Sequence, residues 1–386
     1  MLSDKTLKPV RLTGLTLSNF RNYASLSVQF EPRHIVLTGH NGAGKTNLLE
    51  AISLLAPGRG LRRAAYDDMA RKAGVGGFAI GAKIAVDDDE TQLGTGTGAS
   101  VGEATGSRIV RINGTAEKSA DVLNDHLRIT WLTPAMDGVF TGPAADRRKM
   151  LDRMVLAVEP AHGQHAVHFE KAMRSRNRLI ADEVNDASWY AALEYEIGTH
   201  GAAMTLARHR FVASLNAMAA SGFDRAAFPS AGLSLVGEID AMAVTVEDLA
   251  EAYRSALARS RPADRQAGRT LIGPHRSELE VVHVAKNMPA AIASTGEQKA
   301  LLTGMVLAHA SLIAQTSGLT ALLLLDEIGA HFDAGRRAQL FEILDQLGGQ
   351  AIMTGTETHL FDALENRAQF FTIADSVVRP EESRHD

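Results

Sequence analysis

The chain has 386 residues, of which 45% are hydrophobic and 22% charged, and it contains no cysteine. These proportions are typical of a globular protein with one large core or two modest ones, and they argue against disorder, disulfides and thiolate metal sites. The formal net charge of −5 excludes coating of nucleic acid through overall charge, so such binding would need local clusters of Arg and Lys.

The first ten residues, MLSDKTLKPV, lack the long apolar stretch of a secretory signal. No later window approaches the roughly 18 uninterrupted apolar residues that a membrane span requires. We therefore expect a cytoplasmic protein with no membrane partner.

The first 125 residues have mainly strand character. Residues 11 to 38 contain the alternating stretches RLTGLTLSNF and LSVQFEP and the apolar stretch HIVLTG, and the helical pattern NLLEAISLLA follows. Strand character returns in FAIGAKIAV and SRIVRING. Between these two lies DDDETQLGTGTGASVGEATG, whose low complexity we interpret as a mobile hairpin tip.

From about residue 145 to 260 the pattern is helical, in stretches such as AADRRKMLDRMVLAV and HFEKAMRSRNRLIADEV. Strand and helix patterns then alternate to the end of the chain. We predict an α/β domain built from residues 1–125 and 262–386, with a helical lobe inserted at 126–261.

One motif is a full match to the phosphate-binding loop GxxxxGK[ST], in the required setting between a strand and a helix. Its glycines let backbone N–H groups converge on phosphate oxygens, the lysine adds a positive charge, and the threonine hydroxyl can ligate Mg²⁺. The motif consists of Gly39, His40, Asn41, Gly42, Ala43, Gly44, Lys45 and Thr46.

A second motif is the apolar strand ALLLLDE, which ends in Asp326 and Glu327. A strand buried on both faces delivers Asp326 to its carboxyl end, where it can hold a metal. Glu327 lies beside it and can orient or deprotonate a water molecule. The pattern is weak alone and strong when a phosphate-binding loop is in the same chain.

The third motif is the start of a long helix, IASTGEQKALL. Ser294 and Gly296 precede the helical pattern, so its N–H groups and positive dipole end can face an anion. The alternative interpretation is local: Ser294 or Thr295 is an N-cap, and Glu297 completes a capping box.

The order of these three motifs resembles the ABC-type ATPases, and within them the chain resembles the RecF family, which is related to SMC and Rad50 heads. Further similar segments are LTLSNFRNYASLSVQF, TPAMDGVFTGPAADRRKMLDRM, TLIGPHRSELE and LLLLDEIGAHFDAGRRAQLFEIL. The resemblance implies an ABC-type P-loop ATPase head, with a mixed sheet, helices and an antiparallel β subdomain, plus the inserted helical lobe.

The resemblance also implies a mechanism, an ATP- and Mg²⁺-dependent homodimer with weak, DNA-stimulated ATPase activity. Thr46 and Asp326 would hold the metal, and Glu327 would be catalytic. Ser294, Gly296 and Gln298 of a second copy would complete the nucleotide site, with Asp333 at the subunit contact. The expected partners are double-stranded, single-stranded and gapped DNA and mediator proteins of the RecR and RecO type.

Some residues depart from the family pattern. Glu297 stands where a second glutamine is more usual, and Ser277 stands where an acidic residue is frequent. No histidine follows QAIMTG where ABC ATPases keep their switch histidine, and His359 comes a turn too late. Thr354 or Thr356 is a candidate sensor of the γ-phosphate in its place.

Two arginine groups are candidate contacts to DNA phosphates, one after the first helix and one at the head of the inserted lobe. They are Arg59, Arg62 and Arg63, and Arg147 and Arg148. Each group alone is more often a solvated surface, and the same holds for the arginines at 174–178 and 254–276.

Two other classes of protein stay open. The first is a transporter head, which docks to membrane-spanning partners, or an SMC or Rad50 head, which carries long coiled-coil arms. The insertion, with Gly198, Gly201 and Pro229, is too short and broken for such arms. In a monomeric P-loop ATPase or kinase, the Ser294 segment would be only a helix cap.

Overall fold

The computed structural model describes residues 7–74, 76–98, 107–220, 227–245, 248–328, 332–364 and 366–381. The chain divides into two compact units. Unit 1 consists of Met1–Met136 and Val306–Asp386, and unit 2 is Asp137–Met305.

The strands, in chain order, are β1 (Val10–Phe20), β2 (Tyr23–Gln29), β3 (His34–Thr38), β4 (Phe78–Val86), β5 (Asp89–Thr97), β6 (Arg108–Ile112), β7 (Thr115–Glu117), β8 (Ile129–Leu132), β9 (Ala231–Val236), β10 (Glu278–His283), β11 (Met288–Pro289), β12 (Leu322–Leu325), β13 (Ala351–Gly355), β14 (Ala368–Ala374) and β15 (Val377–Pro380).

The α-helices, in chain order, are α1 (Lys45–Ser53), α2 (Tyr66–Met69), α3 (Ala144–Val158), α4 (Ala161–Ala181), α5 (Ala187–Ala220), α6 (Glu238–Thr245), α7 (Leu249–Ala267), α8 (Thr295–Ser317) and α9 (Ala334–Gln346). Short 3₁₀ helices cover Ala120–Asp125, Pro134–Met136, Val284–Lys286, Ala290–Ile292 and Thr358–Leu364.

Unit 1 contains an antiparallel sheet of six strands in the order β2-β1-β4-β5-β6-β7. Strand β5 lies within the stretch that the sequence analysis interpreted as a hairpin tip, and that interpretation is wrong for residues 89–97. Gly96 permits close strand pairing, since a Cβ on it would lie 2.2 Å from the Phe78 carbonyl oxygen. The rest of the expected tip, at 99–106, lies outside the described residues.

The second sheet of unit 1 has the order β15-β14-β3-β13-β12-β8. Strands β14, β3, β13, β12 and β8 run parallel, and β15 is an antiparallel edge. Strands β3, β12 and β13 are buried at every position, as expected for parallel strands covered on both faces. The carboxyl ends of β3, β12 and β13 therefore lie side by side.

Gln350 joins the two sheets of unit 1. Its side-chain oxygen accepts a hydrogen bond from the Leu12 backbone N–H at 2.7 Å, and its amide donates to the Arg33 carbonyl at 2.8 Å. The side chain is fully buried, so these bonds satisfy polar groups that would otherwise be costly in the core.

Unit 2 is mainly helical, and α4, α5 and α7 enclose its core. The long α5 continues through Gly198 and Gly201, so these glycines do not break it. They allow α7 to approach: a Cβ on Gly198 would lie 2.4 Å from Arg254 Cγ, and one on Gly201 would lie 2.6 Å from Tyr253 Cε1. Unit 2 also contains the antiparallel sheet β11-β10-β9. Strand character after residue 268 was predicted, but as part of the α/β domain, and β9 lies in the stretch that was predicted to be helical.

A buried ion-pair network connects the three helices of this core. Arg176 of α4 is fully buried and lies 3.1 Å from Glu194 and 2.8 Å from Asp264. Arg261 shares Glu194, which adds a second positive charge to the network. Because both carboxylates are buried, they depend on these arginines for their charge balance.

The boundaries of the units differ from the residues 126 and 261 expected from the sequence. Strand β8 pairs with β12, so it belongs to the parallel sheet of unit 1. Strand β10 pairs with β9, so residues 278–283 belong to unit 2. Both differences arise from pairings between strands that are distant in the sequence.

Among the described residues, α8 is the single helix that is both long enough and apolar enough to cross a membrane. In its most apolar 18-residue window, 72% is buried inside the protein. Such burial is typical of the core helix of a globular protein.

Candidate functional site

The phosphate-binding loop, residues 39–46, connects β3 to α1. Gly39, Gly42 and Gly44 have φ angles of 144°, 85° and 116°, which glycine adopts at low cost. A Cβ on Gly39 would lie 2.2 Å from the Ile373 carbonyl oxygen, and one on Gly44 would lie 2.6 Å from Asn22 Nδ2. The loop therefore depends on glycine both for its backbone angles and for space.

Lys45 is the first residue of α1 and is 4% exposed. Its ammonium group donates hydrogen bonds to the carbonyl oxygens of Gly39, at 2.5 Å, and His40, at 3.0 Å. Burial lowers the pKa of Lys45, while Glu327 and Asp326 act in the opposite direction. The first turn of α1 carries no acidic residue, so the positive end of the helix and Lys45 together favour an anion.

Asp326 directly follows β12 and is 5% exposed. The Thr46 hydroxyl lies 3.1 Å from each of its carboxylate oxygens. Burial raises the pKa of Asp326, and the hydrogen bonds from Thr354 and Thr46 oppose this rise. Two oxygens bound to one Mg²⁺ in octahedral geometry lie about 2.9 Å apart, so Thr46 and Asp326 fit this cation.

Within the part of the chain that the structure describes, no group of three or more His, Asp or Glu side chains is arranged to hold a metal. A cation bound by Thr46 and Asp326 would take its other ligands from water and phosphate oxygens. Mg²⁺ is commonly bound in this way, through one or two protein groups and a substrate phosphate.

Glu327 has a positive φ of 54°, which is uncommon for a residue other than glycine. Its backbone N–H donates to the Thr354 hydroxyl at 2.7 Å. That hydroxyl in turn donates to Asp326 Oδ1 at 2.8 Å. One threonine of β13 thus contacts both acidic positions of the motif.

The Ser294 segment forms the capping box at the start of α8. Glu297 Oε2 accepts from the Ser294 backbone N–H at 2.9 Å and from its hydroxyl at 2.8 Å. Glu297 also pairs with Lys286, and these three bonds lower the pKa of Glu297 to about 2. Within a single chain, Ser294 therefore acts as a helix cap and Glu297 completes the capping box.

The capping box leaves the segment accessible. Ser294, Thr295 and Gly296 are exposed, and no atom lies within 4 Å of a Cβ built on Gly296. Gln298 is buried, and its amide donates to the Ala293 carbonyl at 2.9 Å. A second molecule can therefore reach Ser294 and Gly296, whereas Gln298 supports the turn behind them.

Asp333 is the N-cap of α9 and accepts from the Arg336 backbone N–H at 2.9 Å. This hydrogen bond lowers the pKa of Asp333. The side chain is 69% exposed, so the cap does not prevent contact with another molecule.

Comparison with known proteins identifies the family. A sequence profile described as the RecF/RecN/SMC N terminal domain matches residues 11–378. The chain is 54% identical to the DNA replication and repair protein RecF of Mesorhizobium japonicum over 373 residues, covering 96% of this chain and 98% of the relative. It is also 54% identical to the protein of the same name from Rhizobium etli over 370 residues, with the same coverage of both chains.

The chain belongs to the RecF family.

A solved structure supports the fold. The recombination mediator protein RecF-ATPrS in the RecFOR pathway matches with a TM-score of 0.84 at 20% identity, covering 98% of this chain and 100% of that chain. The predicted ABC-type ATPase fold is thus confirmed.

In this RecF-family chain, two of the arginines predicted to contact DNA, Arg147 and Arg148, form hydrogen bonds within unit 2. Arg147 pairs with Glu278 at 2.7 Å and donates to three carbonyl oxygens of residues 139–142. Arg148 donates to the Ser277 carbonyl oxygen at 2.8 Å. These bonds favour a structural role for both arginines, above all for Arg147, whose side chain is only 15% exposed.

The other three predicted contacts are exposed in unit 1. Arg59 lies 5.9 Å from the centre of the Tyr66 ring, and Arg63 has a φ of 56° in the turn after α1. Arg62 donates to Asn47 at 2.6 Å and to Glu50 at 2.8 Å, while its side chain stays 40% exposed. These three arginines are thus more exposed than Arg147 and Arg148.

The loop has polar support that was not predicted from the sequence. Glu50 is fully buried and also binds Arg21 through two hydrogen bonds of 2.8 and 2.6 Å. The Tyr23 hydroxyl donates to the Gly44 carbonyl at 3.1 Å, and burial raises the pKa of Tyr23. The available signal was the polar pair Arg21-Asn22 between two strands and a glutamate on the apolar helix α1.

The two threonines proposed as phosphate sensors differ. Thr354 is fully buried beside Asp326, so it supports that carboxylate, while Thr356 is exposed. His359 is an exposed residue that pairs with Glu357 at 3.0 Å.

Proposed function

We propose that this chain is an ATP-dependent DNA-binding protein of recombinational repair and replication restart. The observation that carries the proposal is the contact between the Thr46 hydroxyl, in the phosphate-binding loop, and the Asp326 carboxylate, 280 positions away in the sequence. Curated relatives with 54% identity are named DNA replication and repair protein RecF.

Each residue of the site has a chemical role in this proposal. Lys45 and the loop amides bind the β- and γ-phosphates of ATP. Thr46 and Asp326 would hold Mg²⁺, which supplies positive charge against the phosphate oxygens. Glu327 orients and deprotonates the attacking water. A slow ATPase of this kind acts as a switch.

ATP would join two copies of the chain. Ser294 and Gly296 of one copy close over the γ-phosphate held by the other, supported by Gln298, with Asp333 at the contact. Because the phosphate is the ligand of this surface, ATP stabilises the dimer by mass action and hydrolysis releases it.

The dimer would act as a clamp on DNA. Arg59, Arg62 and Arg63, with Arg148 and Arg147 in a lesser role, contact phosphates without reading bases. Gapped DNA is the proposed target, with double and single strands at its junction. Mediator proteins of the RecR and RecO type would assist recombinase loading in the cytoplasm, in line with the pathway named for the structural relative.

Sedimentation tests the dimer. The wild type should change from monomer to dimer when ATP and Mg²⁺ are added. Ser294→Arg should stay monomeric, because the larger arginine side chain blocks the start of α8. Ser119→Arg is the matched control, since Ser119 is an exposed cap whose hydroxyl accepts from the Asp121 N–H at 3.2 Å. A wild type that is monomeric under all conditions would support the monomeric ATPase or kinase instead.

Salt dependence tests the DNA contacts. Affinity for gapped DNA with ATP should fall steeply between about 50 and 200 mM salt. Arg63→Ala should weaken binding to all sequences equally and reduce the slope by about 1. Affinity that does not change with salt would exclude backbone contacts.

A further inference from the structure

Thr354 is a buried polar residue near the carboxyl end of β13. Its hydroxyl accepts a hydrogen bond from the Glu327 N–H at 2.7 Å and donates one to Asp326 Oδ1 at 2.8 Å. The side chain is 0% exposed. Both contacts are short enough to be strong hydrogen bonds, and the bond to the carboxylate is charge-assisted.

The direction of these bonds is fixed by chemistry. A backbone N–H can only donate, so the Thr354 oxygen must accept from Glu327. The single hydroxyl hydrogen is then available for Asp326 Oδ1. Thr354 thus orders the carboxylate and the neighbouring backbone at the same time, which no apolar residue of the same shape could do.

Thr46 also contacts this carboxylate. Its hydroxyl lies 3.1 Å from Asp326 Oδ1, which is longer than the 2.8 Å of the Thr354 contact. Thr354 lies on β13, which pairs with β12 in the parallel sheet, so its contact does not depend on the loop. Thr354 therefore gives Asp326 a second donor, which is held by the sheet and not by the phosphate-binding loop.

The backbone of Glu327 needs a similar restraint. A positive φ of 54° at a non-glycine residue is held by the surrounding structure. The Thr354 hydroxyl supplies the acceptor for the N–H of that residue. Loss of the acceptor would leave a partly buried donor without its bond, which favours a change in the backbone.

We propose that Thr354 is a positioning residue of the nucleotide site, which sets the orientation of Asp326 toward Mg²⁺ and the backbone conformation of Glu327. This inference rests on the proposed ATP-binding function and adds a residue that acts through two others. Groups that orient metal ligands typically affect metal affinity or activity by about 10- to 100-fold.

The test compares Thr354→Val, which keeps the shape and removes the hydroxyl, with Thr354→Ser, which keeps the hydroxyl. Thr130→Val is the matched control, because Thr130 is a buried threonine of β8 in the same sheet whose hydroxyl lies 3.0 Å from His309 Nδ1. A fluorescent ATP analogue reports nucleotide binding as Mg²⁺ is titrated.

Thr354→Val should raise the Mg²⁺ concentration for half-maximal binding about 10-fold or more and lower kcat, with affinity in EDTA unchanged. Thr354→Ser should stay within about 3-fold of the wild type, and Thr130→Val should not change Mg²⁺ dependence. Equal Mg²⁺ dependence in wild type and Thr354→Val would overturn the inference, as would a serine variant as impaired as the valine variant.

A measurement without nucleotide keeps the inference separate from the proposed function. Hydrogen exchange of the peptide 322–328 should accelerate at one amide in Thr354→Val and stay slow in the serine and Thr130→Val variants. Unchanged exchange would refute the contact to Glu327 even if ATP binds. A wild type that does not bind Mg²⁺ and ATP would refute the proposed function. Even then, the exchange measurement would show whether Thr354 orders the backbone of Glu327.

Discussion

Acid should destabilise unit 2 through His275. Burial, together with the positive charges of Arg276, Arg148 and Arg208, lowers the pKa of His275 to about 4. The hydrogen bond between Nε2 and the Thr270 carbonyl, at 3.2 Å, opposes these effects. The ring is therefore neutral in the folded protein at pH values where an unfolded histidine binds a proton.

The sign and size follow from proton linkage. Between the unfolded pKa of about 6.5 and the folded pKa of about 4, the unfolded chain binds more protons, so stability falls as the pH drops through this window. From pH 7.5 to pH 5.0 this group should reduce the free energy of unfolding by about 2 kcal/mol. Urea unfolding followed by circular dichroism at the two pH values measures the loss.

The variant His275→Gln isolates this contribution, because glutamine does not titrate and keeps an amide donor for Thr270. Other titrating groups are common to both proteins and cancel in the comparison. The wild type should lose about 2 kcal/mol more than His275→Gln between the two pH values, whereas His359→Gln, at an exposed position, should behave as the wild type. A loss equal in wild type and His275→Gln would refute the assignment of the low pKa to burial.

Three further outcomes are expected. Gly44→Ala should abolish ATP binding and cost about 1–3 kcal/mol of stability, measured by analogue fluorescence and urea unfolding, because φ is 116° and the methyl group would meet Asn22; normal binding would contradict the loop geometry. Glu327→Gln should slow phosphate release by about 10²–10⁴-fold while ATP still binds, and undiminished release would exclude a base at this position. Arg176→Met should lower the free energy of unfolding by about 3–5 kcal/mol, since Glu194 and Asp264 lose a buried partner, and a fully stable variant would show that Arg261 suffices.

The chemistry of the site could be predicted where it is contiguous in sequence. The phosphate-binding loop combines eight consecutive residues with a strand before it and a helix after it. The strand before Asp326 is uniformly apolar, which places the acid at the end of a buried strand. The capping alternative for Ser294 was also visible, because Glu297 stands at the required spacing.

The supporting residues could not be predicted because their partners are distant in sequence. Thr354 looks like any threonine in an apolar strand until β13 lies beside β12. Glu50 interrupts an apolar helix, but only the fold shows that Arg21 and Arg62 neutralise it. Strand β5 was missed because its Gly- and Thr-rich sequence has the composition of a flexible segment, whereas Gly96 permits close pairing with β4.

The order of strands in the parallel sheet has a consequence for synthesis on the ribosome. Strand β3 lies between β13 and β14, which are made more than 300 residues later, and the whole of unit 2 comes between them in the chain. A nascent polypeptide therefore carries the phosphate-binding loop for most of its synthesis without the strands that flank it, and its apolar β3 is a target for chaperones during that time. Products that stop before Asp326 lack β13 and β14, so β3 has neither of its neighbours in the parallel sheet.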